Sequence, residues 1–494
     1  MAEGEVALSI AGLIGYLAVA YVIGRLLVGV FVPYPSSLLR VTSPLLGGSA
    51  LGIVLWIYGA VHIPWNPLTL LLPWFGAAIV RRKHLLRAFR EDWQGVATEI
   101  RFLSQLGPLE LVLAVATVVM GAVYLLNLVT QPVLGWDAIA MWLFKANLYY
   151  TQQAVDLGPI STDIRRNLDY PPLYSLMVAS MYTITGHLDD ILGKSVTYLF
   201  FLTSVLGFLT EVRGFLGRQL ALTFTFLVAA MPIFLPAIFS FPYMGWADYP
   251  VATLMLISLL HLVHGNRTGD RASFSFAIVF ASLAALTKNE GLSFLAVILI
   301  VLAAPSVVTS IRRKKMIVPS IPLIAVVLLS LAPLIAWQLY LKLNGIQSAR
   351  VVGEQSVHDL LVLLPGKVIA TVRAIRAQLS FQSDYPWIAS GYILSLGLSA
   401  LSRSLLALPL VAIVSLQAAS YLIVYLVTPL DINYLVSVTF DRLMLQLAPS
   451  IVLLLAIAIV PYLATPSDRP DRPGQMSALE PAVRRSPVGG EVSR

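Results

Sequence analysis

The sequence predicts an all-α polytopic membrane protein with about 13 spanning helices and with external juxtamembrane helices. Three observations predict the helical membrane class. Of 494 residues, 58 % are hydrophobic and only 12 % charged, whereas a soluble chain carries roughly 25 % charged residues. Apolar runs of about 20 residues, long enough to span a bilayer, recur along the whole chain. Lys and Arg gather in alternate connections between those runs. A backbone in lipid has to satisfy its own polar groups, so each span is expected to be a helix. The same composition excludes a large soluble enzyme, a disordered chain and a nucleic-acid-binding domain. A net charge of +8 is explained by basic cytoplasmic loops without any nucleic acid partner.

In chain order the spans are expected near 6–31, 40–60, 66–80, 107–130, 190–211, 219–240, 249–264, 272–287, 291–307, 318–342, 388–401, 404–428 and 442–463. The two shortest are 66–80 and 388–401. An odd number of spans places the termini on opposite sides. The strongest basic clusters are Arg81, Arg82, Lys83, Arg87 and Arg90, then Arg312 to Lys315. Placing both in the cytoplasm puts the N-terminus outside and the C-terminus inside. With Arg25, Arg40, Arg101, Arg213, Arg218, Arg267, Arg271, Arg403 and the five arginines of the tail, 22 of 33 basic residues then lie inside. The opening MAEGEVALSIAG carries two Glu and no Lys or Arg, the reverse of a secretory leader.

Three domains follow. Residues 1–106 are additional N-terminal spans plus a cytoplasmic amphipathic segment, 81–106. Residues 107–463 are the main membrane module, with external loops 131–189 and 343–387. Residues 464–494, rich in Pro and Arg, are expected to be a disordered cytoplasmic tail. Segment 172–186 is apolar enough to span, but a span there would invert every later loop. It is expected to lie as a helix in the outer interface, started by Pro171-Pro172. Segment 355–378 is expected to be a second interfacial stretch, broken at Pro365-Gly366. Cysteine is absent, which removes disulfides, thiolate metal sites and a cysteine nucleophile. The six His residues show no metal-ligand spacing.

Five polar places fall on the expected external side, where an ionisable residue in an apolar setting marks a candidate site. The first is Gly135-Trp136-Asp137, continuing to Trp142 and Lys145. An apolar wall there would raise the Asp137 carboxyl and suit a general base; the alternative is an Asp opening a helix as its cap. The second is Asp169-Tyr170-Pro171-Pro172, where the stronger reading is structural, an Asp cap and a proline start for an interfacial helix. The third is Gly245-Trp246-Ala247-Asp248, again a base or a cap. The fourth is Lys288-Asn289-Glu290, either a local ion pair or a cation for an anionic group. The fifth is Arg442, either paired with the adjacent Asp441 or free to hold a phosphate bidentately. Together they describe an outer-leaflet cavity for a substrate with a lipid tail, an anionic phosphate and a polar acceptor.

This order of motifs resembles the GT-C superfamily of integral-membrane glycosyltransferases. It is most similar to the branch of protein O-mannosyltransferases and lipid A aminoarabinose transferases, glycosyltransferase family 39-like. The residues that carry the likeness are Trp136-Asp137 with Trp142 and Lys145, the D-Y-P-P-L run at 169–173, Gly245 to Asp248, T-K-N-E-G at 287–291 and Arg442-Leu-Met-Leu-Gln. They cover roughly 107–463; the first three spans precede the family's usual start. The resemblance implies an extracytoplasmic site in the cell (inner or plasma) membrane. There a sugar passes from a polyprenyl-phosphate donor to a glycan, lipid or protein acceptor with inversion. It implies Asp137 as the catalytic base. Substrate contacts would come from Trp136, Trp142, Lys145, Asp169, Tyr170, Asp248, Lys288, Glu290 and Arg442. The single Asp, where some members carry an acidic pair, implies no required cofactor or divalent metal. Two alternatives remain: a flippase or transporter of lipid-linked glycans, and an O-antigen ligase or polymerase relying on His358, Arg373 and Arg376.

Overall fold

A computed structural model of the chain describes residues 3–32, 35–161, 167–231, 245–313, 321–346, 357–379, 386–402, 404 and 406–463. The described residues form helices and connections, with no strand among them. Lys314, Lys315, Arg403, residues 232–240 of the expected sixth span and the tail 464–494 lie outside the described residues.

Helix α1 (Glu3–Phe31) and α2 (Ser37–Ala60) pair as a hairpin. Ser36 starts α2 by accepting the Leu39 N–H at 3.3 Å, the ordinary cap for an orphan first-turn donor. A Cβ on Gly24 would overlap the Ser43 carbonyl, and one on Gly47 the Ala20 carbonyl. The two helices therefore touch backbone to backbone, which is how small residues drive packing where lipid removes the hydrophobic incentive. Helix α3 (Pro67–Val80) follows with a reciprocal Asn66–Thr69 cap. Helix α4 (Arg82–Leu103) is the amphipathic segment, and α5 (Pro108–Thr130) leads into the site. On α5, Leu109, Leu111, Val112, Val115, Val118, Val119 and Leu126 are exposed. An apolar surface that large on a helix of spanning length fits lipid, not water.

Beyond the site come α6 (Leu143–Gln152), α7 (Leu173–Thr185), α8 (Asp190–Ser195), α9 (Thr197–Val212) and α10 (Arg218–Ala229). The second half is α11 (Asp248–Thr268), α12 (Arg271–Thr287), α13 (Asn289–Arg313), α14 (Ile321–Leu343), α15 (Val357–Ala377), α16 (Pro386–Ser402), α17 (Ala407–Val427), α18 (Ile432–Ala458) and the short α19 (Val460–Leu463). Helix α11 is the axis of this half. It is buried without interruption from Asp248 to Val263 and packs against α9, α12 and α18.

Six stretches among the described residues are long and apolar enough to cross a membrane: 8–31, 37–60, 108–130, 190–212, 407–427 and 432–463. Seven shorter apolar helices accompany them. A helical membrane protein is therefore what the chain forms, while the expected number of spans is finer than these six.

Segment 172–186 forms α7, which is buried at every position from Leu173 to Thr183 and packs on α2 and α6. Two local expectations need correction. The stretch 355–378 is not broken at Pro365-Gly366, because α15 runs through both. Its buried edge of Thr371, Ala374 and Gln378, set against α17 and α18, outweighs the lost backbone bond. The last span begins at Ile432 rather than 442, with Asp431 capping it through the Tyr434 N–H at 2.8 Å.

Candidate functional site

Asp137 enters the site because α5 ends at Thr130 and the chain runs extended to Gly135 before turning helical again. The turn Ala138–Trp142 is a π-helix, a wider turn that recurs at functional sites. Trp136 is 71 % exposed and Trp142 fully buried, so the two tryptophans face opposite environments. The capping alternative for Asp137 fails. Its backbone is helical and its side chain caps nothing. Its Oδ2 lies 2.7 Å from Arg442 Nη2, without hydrogen-bond geometry, so the contact is electrostatic.

Asp248 stands at the first position of α11 and also caps nothing. Its Oδ1 accepts from Lys288 Nζ at 2.8 Å and from Gln446 Nε2 at 2.5 Å. Its Oδ2 accepts from Arg442 Nη2 at 2.7 Å. The positioning follows from chain direction. Helices α11 and α12 form a tight antiparallel pair, so the start of one and the end of the other share a level. Lys288 closes α12 and Glu290 opens α13, where Lys288 Nζ is 2.8 Å from Glu290 Oε1. The local pair anticipated there therefore forms, but Lys288 serves Asp248 as well.

Arg442 is ten residues into α18, about 15 Å from its start. The neighbours that compensate its charge are Asp137 and Asp248, on other elements. Its guanidinium lies 4.3 Å from the centre of the Trp246 ring, a cation–π seat that fixes the fork in place. Gly245, at φ +87°, makes the turn that brings Trp246 round, a conformation a side chain would resist.

The side chains of Asp248 and Lys288 are 6 % and 4 % exposed, those of Asp137, Glu290 and Arg442 15–19 %. Asp248, Lys288 and Gln446 therefore form a floor, and Asp137, Arg442 and Glu290 the reachable surface. Burial raises the Asp137 carboxyl above its ordinary value; Arg442 opposes that shift and Asp248 adds to it. Three carboxylates against two cations leave this group with one negative charge. Glu290 Oε2 and Arg442 Nε are buried without a hydrogen bond, so two polar atoms there still have capacity.

The remaining expected residues lie around this group rather than in it. Tyr170 puts its ring 5.9 Å from Lys288 Nζ, and burial raises its hydroxyl well above the ordinary value. Asp169 accepts from Asn289 Nδ2 at 3.2 Å. Trp142 packs on Tyr170 at 5.4 Å between ring centres. Lys145 is buried and donates to the Asn167 and Tyr170 carbonyls at 2.8 and 3.2 Å. It ties down the 167–170 loop rather than pointing at Asp137. Burial pushes its amine down to about 7, with Asp169 opposing. Trp136, 71 % exposed, precedes Asp137 at the surface. Arg373 and Arg376 are exposed on α15, and the side chain of His358 is outside the described residues.

Sequence reasoning carried Gln446, Trp246 and Asn289 only as members of motifs and gave none of them a role. Gln446 had a signal: it follows Arg442 by four residues, on the same helix face. Tyr421 holds that Gln in turn, its hydroxyl donating to Gln446 Oε1 at 2.9 Å, and nothing in the sequence joined α17 to the site. Among the described residues no group of three His, Asp or Glu is arranged to hold a metal ion. No protein-family model, curated protein or solved structure matches this chain, so its functional reading rests on the geometry just described.

Proposed function

We propose that this protein is a membrane glycosyltransferase with a GT-C-like arrangement. It moves a sugar from a polyprenyl-phosphate carrier to an extracytoplasmic glycan, lipid or protein hydroxyl. The single observation that carries the reading is Asp137. It is a reachable carboxylate, raised by burial and held by Arg442 over a rigid floor of Asp248, Lys288 and Gln446. The thirteen spans and the external placement of the site belong to the same proposal.

In the reaction Asp137 takes the proton of an acceptor hydroxyl as its oxygen attacks the anomeric carbon. The bond from that carbon to the phosphate oxygen breaks, and its electron pair leaves with the lipid phosphate. A single displacement inverts the anomeric centre. Arg442 stabilises the leaving phosphate. The excess negative charge gives this step an order. A phosphate enters only by drawing Arg442 away from Asp137, and Asp137 becomes a stronger base as it loses its cation. Donor binding thus arms the base. Asp248 keeps Arg442 within reach throughout.

The test uses purified protein with radiolabelled polyprenyl-phosphate sugars and membranes as acceptor. Wild type should transfer label. Asp137→Asn should lose about 10²–10⁴-fold in turnover, the usual share of a general base, while still binding donor. Near-normal turnover in that variant rejects the assignment. Donor movement across the bilayer without a new glycosidic bond would favour the transporter alternative.

A further inference from the structure

A second arginine cluster, remote in sequence from the Asp137 group, carries different charge arithmetic. Arg25, on α1, is 1 % exposed. Its counter-charge is Asp92 of α4, with Arg25 Nε 3.1 Å from Asp92 Oδ2. Tyr21 donates its hydroxyl to that same oxygen. Arg40, at the start of α2, reaches Asp92 Oδ1 at 3.7 Å and donates to the Glu91 carbonyl at 3.5 Å. Two guanidiniums therefore share one carboxylate. None of the three Arg25 nitrogens makes a hydrogen bond, and Arg40 Nε makes none. Buried guanidinium donors without acceptors are costly. The side chains of Arg40 and Asp92 are 28 % and 22 % exposed, so the cluster opens to the surface beside α4 with Arg25 at its base.

Helix α4 shows what lies over that opening. Leu86, Phe89, Trp93, Val96, Ile100 and Leu103 are all exposed, and their alternating spacing of three and four residues makes one continuous apolar stripe. Arg82, Lys83, Arg87 and Arg90 stand exposed beside it. Asp92 faces the arginines, and Glu99 pairs with Arg213 Nη2 at 2.5 Å, so the acidic side chains of those two positions are already compensated. An apolar stripe flanked by cations fits a leaflet that carries negative charge.

We propose that α1, α2 and α4 form a binding site for an anionic phospholipid. Its phosphate oxygens accept from Arg25 and Arg40, and its acyl chains lie along the apolar stripe of α4. The apolar stripe selects a lipid over free phosphate as the source of the anion. The inference rests on the chain's membrane character and is independent of glycosyl transfer.

The test titrates phosphatidylglycerol into the full-length protein in a neutral detergent and follows the thermal unfolding midpoint. The midpoint should rise with phosphatidylglycerol and not with phosphatidylcholine or inorganic phosphate. Arg25→Gln risks misfolding, so Arg40→Gln is the informative variant. Loss of one charge-assisted hydrogen bond should weaken phosphatidylglycerol binding about tenfold. Arg101→Gln, exposed at the far end of α4, should bind as wild type. An equal rise with phosphatidylcholine, a full rise with inorganic phosphate alone, or unchanged affinity in Arg40→Gln would each overturn the proposal.

Discussion

Arg442 and Arg25 are both guanidiniums set in helices, the first partly and the second fully buried, yet their surroundings are opposite. Arg442 has two carboxylates, Asp137 and Asp248, and a tryptophan face beneath it. Arg25 has one carboxylate that it shares with Arg40, and its nitrogens make no hydrogen bonds. The first group ends with surplus negative charge and the second with surplus positive charge. A surplus carboxylate can take a proton from a substrate; a surplus guanidinium can hold an anion permanently. Under the two proposals above, the same residue type would serve chemistry in one place and anchoring in the other, and the difference lies in what else is present.

The largest way to break this comparison is to remove the floor of the first group. Asp248→Ala leaves Lys288 and Arg442 without a shared partner. Breaking a buried pair costs about 3–5 kcal/mol, which a fall in the unfolding midpoint would report. A loss under about 1 kcal/mol would mean that the floor is not rigid. Asp137→Asn should instead spare stability and cost turnover, which separates floor from surface.

A second test concerns Lys145, which belongs to neither group. Its amine is lowered from 10.5 to about 7 in the folded chain. Between those values the unfolded chain binds more protons, so stability should rise with pH across that window. Below about 7 the buried charge counts fully against folding. The neutral amine still has two N–H donors for its two carbonyl acceptors. Lys145→Met should flatten this slope in pH-dependent unfolding; an unchanged slope would assign it to another group.

The smallest expected effect is at Trp246. Trp246→Leu removes the cation–π seat, worth about 0.5–2 kcal/mol. It should weaken turnover by a few-fold to about 30-fold with little change in the pH profile. A change as large as that of Asp137→Asn would mean that Trp246 touches substrate directly.

The Asp137 group was legible in the sequence because charges are so few. In lipid each is costly, so Asp137, Asp248, Lys288, Glu290 and Arg442, each weak as a signal alone, stood out together. The sequence could not choose between cap and site for the aspartates, because a cap is a local matter and both readings fit the same local residues. The fold rules out the cap and supplies distant partners instead: Arg442 and Gln446 come from a helix nearly two hundred residues beyond Asp248. The partners of Lys145 were hidden for the converse reason. A lysine in a polar-looking motif suggests a ligand contact, and only the folded loop at 167–170 supplies the carbonyls that use it. For residues 172–186 the loop-charge argument spoke to side only, and the packing of α7 on α2 and α6 was visible only in the fold.

By itself the sequence determined that the chain is helical and belongs in a membrane, since composition and run length follow from the solvent alone. It also determined which ionisable residues are exceptional. Only the tertiary structure decided which of them meet, because pairing in a helical bundle depends on chain direction, crossing point and helix register. Those quantities arise from close packing such as that of Gly24 on Ser43 and of α11 on α12. The charge balance that separates the Arg442 group from the Arg25 group is a property of that packing and of no single segment.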